Sequence, residues 1–325
     1  MTGPWTRNET SASGQVFEFR LWALLTEQSR GGLHVFLPLA DRGVDAIVHR
    51  LSDGAYLSVQ AKSRSSLVGG EVELVVWADS LADDNTLVVS GLLVDGGLGP
   101  TILVVTAGDF KRLADATTAD GRPIYAMSFG MRPRSDSRWF PYLVPTEQLV
   151  ARLGVTPLAI EFAPEVGPSP TWRSDLGFLG ESEVTRRLAE SDDLNLFRPF
   201  PDSETAELLA LHQTSRAVIG LQIKTVGIDA AHSAATVTAR ASSLQTAPST
   251  YFVVLAWQRD EGRFVDDCLL IPSEKLRDIA SEDAYGHVKF EYRPDSAAHG
   301  RLDQFRRRLP ELKDEIEFLL TKPSG

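Results

Sequence analysis

Asp45, Gln60 and Lys62 put a carboxylate, an amide and an ammonium group into one short stretch of chain. Their spacing decides whether they meet. Residues 44–48 read as a strand and 57–62 as the next, with Asp53-Gly54 turning the chain between them. Gln60 and Lys62 are two apart, so they project from the same face of a strand, while Val59 and Ala61 face the opposite layer. Asp45 then stands beside the pair on the partner strand. Such a cluster offers oxygen donors to a hard divalent cation and a positive charge beside a growing negative one.

A second carboxylate belongs to an element that must lie near. Glu18 shares a predicted helix face with Leu21, Trp22 and Leu25. Burying a carboxylate alone in an apolar stripe is costly, so it calls for a cation or a donor. The whole set then recurs. Glu181 shares a face with Val184 and Leu188, and Glu207, Gln222 and Lys224 repeat the strand triplet. The acid precedes the glutamine by fifteen residues in both sets.

The recurrence extends along the chain with a period of about 160 residues. Residues 33–41 (LHVFLPLAD) match 194–202 (LNLFRPFPD), and 44–63 align with 206–225 without a gap. Both halves end in a strand, an Arg-Pro pair and a closing helix. Two α/β domains are therefore expected, 14–160 and 174–320, joined by the proline-rich stretch 161–173. Within each, an opening helix (15–28; 177–190) precedes the strands, and a further helix is predicted at 74–82 and at about 235–244.

The segment 41–63, DRGVDAIVHRLSDGAYLSVQAKS, resembles the Mrr-type restriction endonuclease domain of the PD-(D/E)xK nuclease superfamily. That type carries Gln-x-Lys where most relatives carry Glu-x-Lys. The resemblance implies two tandem restriction-endonuclease-like domains, each a mixed central sheet flanked by helices, forming a pseudo-dimer within one chain. It implies a Mg²⁺- or Mn²⁺-dependent endonuclease acting on DNA, in restriction or phage defence. Asp45 would be the main metal ligand, Gln60 a weaker amide ligand, and Glu18 a direct or water-mediated one. Lys62 would hold the attacking water or steady charge on the phosphate. Glu181, Glu207, Gln222 and Lys224 would repeat these roles. The second site departs from the first by a glutamate for the aspartate and by loss of the Arg42-Gly43 turn. The first is therefore expected to be the working one. The competing expectation is a catalytically inactive descendant, a nucleic-acid-binding or scaffold module for a protein partner.

Composition bounds these readings. The 325 residues are 43% hydrophobic and carry a net charge of −11, so no bulk field gathers nucleic acid and a local basic groove is required. Arg42, Arg132 and Arg134 are candidates for such contact, with Arg138 and Trp139 adjoining, although core packing is the expected role of the tryptophan. The run Arg306, Arg307, Arg308 reads as a solvated face paired with acids such as Asp303 and Glu311. His34 and His49 read as structural or exposed. A single cysteine, Cys268, excludes an internal disulfide framework and reads as core. No secretory leader or membrane span is expected, and the cytoplasm is the expected compartment. No phosphate-loop, GxGxxG, GxSxG or HExxH motif occurs.

Overall fold

The computed structural model describes residues 7–40, 43–95, 97–155, 174–200, 206–230, 233–241, 247–294 and 300–322. The chain divides into two compact units, 1–161 and 162–325.

Unit 1 opens with helix α1 (Arg7–Ser29), which stops where Arg30 and Gly31 take left-handed backbone. Strands β1 (Leu33–Pro38), β2 (Ala46–Arg50) and β3 (Ala55–Arg64) follow as an antiparallel meander. Strand β4 (Glu71–Trp77) leaves that sheet. The chain returns as β5 (Leu87–Val94), parallel to β3, and β6 (Gly97–Thr106), antiparallel to β5. Helix α2 (Ala107–Leu113) comes next, its first turn capped by the Thr106 hydroxyl, which accepts from Asp109 N. Strands β7 (Asp115–Ala119) and β8 (Arg122–Gly130) join β4 in a small sheet of order β4-β8-β7. The short strand β9 (Leu143–Pro145) completes the main order β1-β2-β3-β5-β6-β9, and helix α3 (Leu149–Arg152) closes the unit.

Unit 2 repeats this order. Helix α4 (Ser174–Leu188) precedes β10 (Leu194–Phe200), β11 (Leu208–His212) and β12 (Val218–Ile228). After β13 (Ala235–Arg240) come β14 (Thr250–Gln258) and β15 (Arg263–Pro272), then helix α5 (Leu276–Ile279). Strands β16 (Ser281–Glu282), β17 (His287–Tyr292) and β18 (Arg306–Arg308) and helix α6 (Leu312–Thr321) complete it. The main order is β10-β11-β12-β14-β15-β18 with β14 parallel to β12, and the small sheet is β13-β17-β16.

Both units are mixed α/β, with a main sheet between two packed layers. In unit 2 one layer holds Val184 of α4 and Ile316 of α6 against Leu221 and Ile223 of β12. The other holds Val237, Phe290 and Leu276 against Val226 and Ile228. Strands covered on both faces need continuous apolar runs, which LVVSGLLV and TYFVVLAWQ supply.

Two expected helices are strands. The segment 74–82 runs as β4 and then one 3-10 turn, and 235–240 is β13. In each, alternation wins. Val72, Leu74 and Val76 are buried between more exposed neighbours, as are Val237 and Ala239, which is the period of a strand. The expected linker, 161–173, lies outside the described residues. No described helix is long and apolar enough to cross a membrane.

Candidate functional site

The meander brings the unit-1 triplet together. Asp45 sits just before β2, and its amide donates to Val59 O at 3.1 Å, which fixes it opposite β3. Its Oδ2 accepts from Gln60 Nε2 at 2.7 Å and from the Ala61 amide at 2.7 Å. Lys62 Nζ stands 3.8 Å from the same oxygen. Gln60 is buried, and its Oε1 has no hydrogen-bond partner among the described residues. A buried amide oxygen left unpaired carries an uncompensated desolvation cost. Asp45 and Lys62 are partly open, with 15% and 33% of their side chains exposed.

The register shows which face they occupy. Gln60 pairs with Val88 of β5, a member of the core beneath the small sheet. Farther along β3, Arg64 Nε donates to Glu73 O of β4 at 2.7 Å. Gln60, Lys62 and Arg64 therefore point toward the small-sheet side. Helix α1 covers the other face, where Phe17, together with Ile102 of β6, occupies the space a side chain at Gly91 would need. Leu21, Trp22 and Leu25 are buried there as expected, and Glu18 is half-buried on the same helix. The structure thus joins Asp45, Gln60 and Lys62 by direct contacts and carries Glu18 on the opposite layer.

Unit 2 places Glu207 in the same register, its amide donating to Leu221 O at 3.0 Å. Here both carboxylate oxygens are engaged. Oε2 accepts from Ile223 N at 2.6 Å and Oε1 from Lys224 Nζ at 2.8 Å. Burial nevertheless pushes the Glu207 carboxyl above its usual range, with Lys224 opposing that rise. Gln222 is buried beside this pair, and Glu181 is half-buried on α4.

Among the described residues no three His, Cys, Asp or Glu side chains gather as a ready cage for a metal ion. A Mg²⁺-type ion does not require one, because it keeps waters and takes one or two carboxylates plus substrate phosphate oxygens. The Asp45 carboxylate beside the orphaned Gln60 Oε1 fits that donor set. The Glu207 carboxylate, closed by an ammonium group and a backbone amide, does not.

The remaining candidates divide. Arg42 lies outside the described residues. Arg132, Arg134 and Arg138 are exposed on the loop after β8. Trp139 is buried against Phe110, with ring centroids 5.7 Å apart, so it is core. The triple-arginine run forms edge strand β18 and is ion-paired throughout. Arg306 meets Asp267 and Asp303, Arg307 meets Glu315, and Arg308 meets Glu311. Arg306 is mostly buried, which the sequence did not suggest. His49 is buried with neither ring nitrogen hydrogen-bonded among the described residues, and desolvation lowers its pKa to about 4. Cys268 is core, its thiol pushed up to about 12 by burial.

No family model matches the chain. No curated protein matches it either. Among solved structures, a bacterial homing endonuclease, I-Ssp6803I, aligns with 44% of this chain and 92% of its own at 19% identity and a TM-score of 0.30.

Proposed function

We propose that the chain is a divalent-metal-dependent endonuclease that hydrolyses phosphodiester bonds in DNA, working from unit 1. The observation that carries this reading is the meeting of Asp45, Gln60 and Lys62 on one sheet face, with a buried amide oxygen left unpaired. Asp45 and Gln60 would hold Mg²⁺ or Mn²⁺, the Gln60 amide turning over to present Oε1. Glu18, carried on the opposite layer, is left out of this ligand set. When bound, the ion supplies charge neutralisation at the phosphate and a more acidic water. Lys62 does the remaining work. Its ammonium group, outside hydrogen-bond reach of Asp45, is free to donate to a non-bridging phosphate oxygen or to the attacking water.

Unit 2 is proposed as a duplicated copy whose site has closed and which now serves as a scaffold. The repeated strand order supports duplication, and the Glu207–Lys224 ion pair supports closure. A role in restriction or phage defence belongs to the same proposal. The test is incubation of the pure protein with plasmid, single-stranded and base-modified DNA, with and without Mn²⁺. Cleavage is expected with the ion and is expected to fall by about 10²-fold or more in Asp45→Ala and Lys62→Ala. Cleavage that persists undiminished in both variants overturns the assignment.

A further inference from the structure

An acidic chain that handles DNA needs a local place for phosphates. A groove of about 630 Å³ opens at the end of β4 and β8. Gly69, Gly70 and Gly130 line it, with Met131 and Leu143 as its apolar wall and Arg132, Arg134 and Arg138 around it. A side chain built at Gly69 or Gly70 would meet nothing within 4 Å, so an extended backbone can approach the floor closely. The small sheet that frames the groove lies on the side of β3 toward which Lys62 points.

The charges there are unevenly matched. Arg138 is held by Asp115 at 2.9 Å, and Glu71 takes the Ser128 hydroxyl at 2.5 Å. Among the described residues Arg134 is ion-paired only with Asp136, at 3.9 Å and with both side chains more than three-quarters exposed, a pair worth little in water. Arg132 has no ion-pair partner among the described residues.

In unit 2 the corresponding positions carry paired charges, beside a cavity of about 460 Å³ that Asp267 and Arg306 help to line. Strand register matches Thr101 with Asp267 and Leu143 with Arg306, because Leu103 pairs with Leu143 where Leu269 pairs with Arg306. The Arg-Pro pairs that follow β8 and β17 match Met131 with Tyr292. In unit 2 these positions form an internal network. Arg306 Nη1 donates to both Asp267 oxygens at 2.8 and 2.7 Å, and Tyr292 Oη donates to Asp267 Oδ1 at 2.6 Å. In unit 1 the three positions hold a threonine, a leucine and a methionine, so no such charged network forms beneath the two under-matched arginines.

We propose that this groove is where unit 1 grips the phosphodiester backbone of DNA, with Arg132 and Arg134 as the phosphate contacts. The proposal rests on the nuclease reading for its ligand but not for its test. Trp139 is buried and offers no base stacking, so binding here is sequence-independent and strongly salt-dependent.

The experiment is fluorescence anisotropy of labelled single-stranded and duplex DNA with the full chain, without divalent ions, over a salt series. Arg132→Ala/Arg134→Ala should weaken binding about tenfold or more and lower the salt slope by about 2. Arg308→Ala, whose arginine is already paired in unit 2, should bind as the parent does. Unchanged affinity and slope in the double variant overturn the groove, as does failure of the parent to bind either DNA. Groove-dependent binding without any metal-dependent cleavage leaves the groove standing and sinks the nuclease reading alone. Asp45-dependent cleavage with unchanged binding in the double variant does the reverse.

Discussion

Lys62 Nζ stops 3.8 Å short of Asp45 Oδ2, whereas the corresponding Lys224 Nζ closes on Glu207 Oε1 at 2.8 Å. The longer acid of unit 2 reaches the ammonium group that the shorter acid of unit 1 leaves available. The two lysines should therefore fail differently. Lys62→Ala is expected to lower cleavage by about 10²–10³-fold and to cost less than about 1 kcal/mol of stability. Lys224→Ala is expected to leave cleavage intact. It should destabilise unit 2 by about 3 kcal/mol, because a mostly buried carboxylate loses its counter-charge. Cleavage assays together with hydrogen exchange at the β11 and β12 amides separate these outcomes. Equal loss of activity in both variants contradicts the assignment of unit 1 as the working half.

Helix seating in the two units uses opposite partners. Phe17 of α1 and Ile102 of β6 fill the space over Gly91, while Gly180 of α4 sits against Thr225 and Leu255. Strand register matches Gly91 with Leu255, so bulk sits on the helix in one unit and on the strand in the other. Alanine is a better helix former than glycine by about 1 kcal/mol. Gly180→Ala should nonetheless destabilise unit 2 by roughly 1–3 kcal/mol, because the new methyl overlaps the Thr225 hydroxyl. Adding Thr225→Ala should recover most of the loss, since that hydroxyl is buried without a partner. Thermal unfolding of the four combinations gives the coupling, and additive losses rule out the contact.

The strand triplets were legible because period-two spacing and a hairpin turn are local properties of the chain. So was the buried stripe Leu21, Trp22, Leu25. The side of the sheet that each group occupies was not legible. It depends on β4 pairing with β8 across an intervening β5–β6 hairpin, and no local pattern reports that pairing. The same non-locality hid the strands at 71–77 and 235–240, whose apolar residues also tolerate a helical reading. The groove was half visible. Its arginines stood out, but Gly69, Gly70, Met131 and Leu143 become its floor and wall only once the small sheet has formed. The closing ion pairs of Arg307 and Arg308 with acids a few residues on could be read from spacing, while that of Arg306 with distant Asp267 could not.

Acid should weaken unit 1 through His49. Burial holds the folded pKa at about 4, below the value of about 6.5 expected in an unfolded chain. Between those values the unfolded state binds the extra proton, so stability falls as pH drops from about 6.5 toward 4. The loss at the acid end is up to about 3 kcal/mol. Register matches His49 with Leu211 of unit 2. His49→Leu should therefore be tolerated, abolish this part of the pH slope and raise stability at about pH 5, despite loss of the stack on Tyr56. Melting curves between pH 4 and 7.5 test it. A variant that retains the full acid sensitivity removes His49 from the account.

Gln60 should trade stability for function. Its Oε1 is buried and unpaired, a cost of about 1–3 kcal/mol that an apolar side chain would not carry. Gln60→Met keeps the length and removes both polar atoms. Asp45 then loses one donor but keeps the Ala61 amide and its partial exposure. The variant is expected to melt no lower than the parent. If the amide oxygen is a metal ligand, Mn²⁺ affinity measured by calorimetry should drop at least tenfold, and cleavage should fall with it. Gln60→Glu, with a second carboxylate at that place, should bind Mn²⁺ more tightly than the parent. Full Mn²⁺ affinity in Gln60→Met means that the orphaned oxygen serves some other purpose, and Asp45 must then find its companion ligands elsewhere.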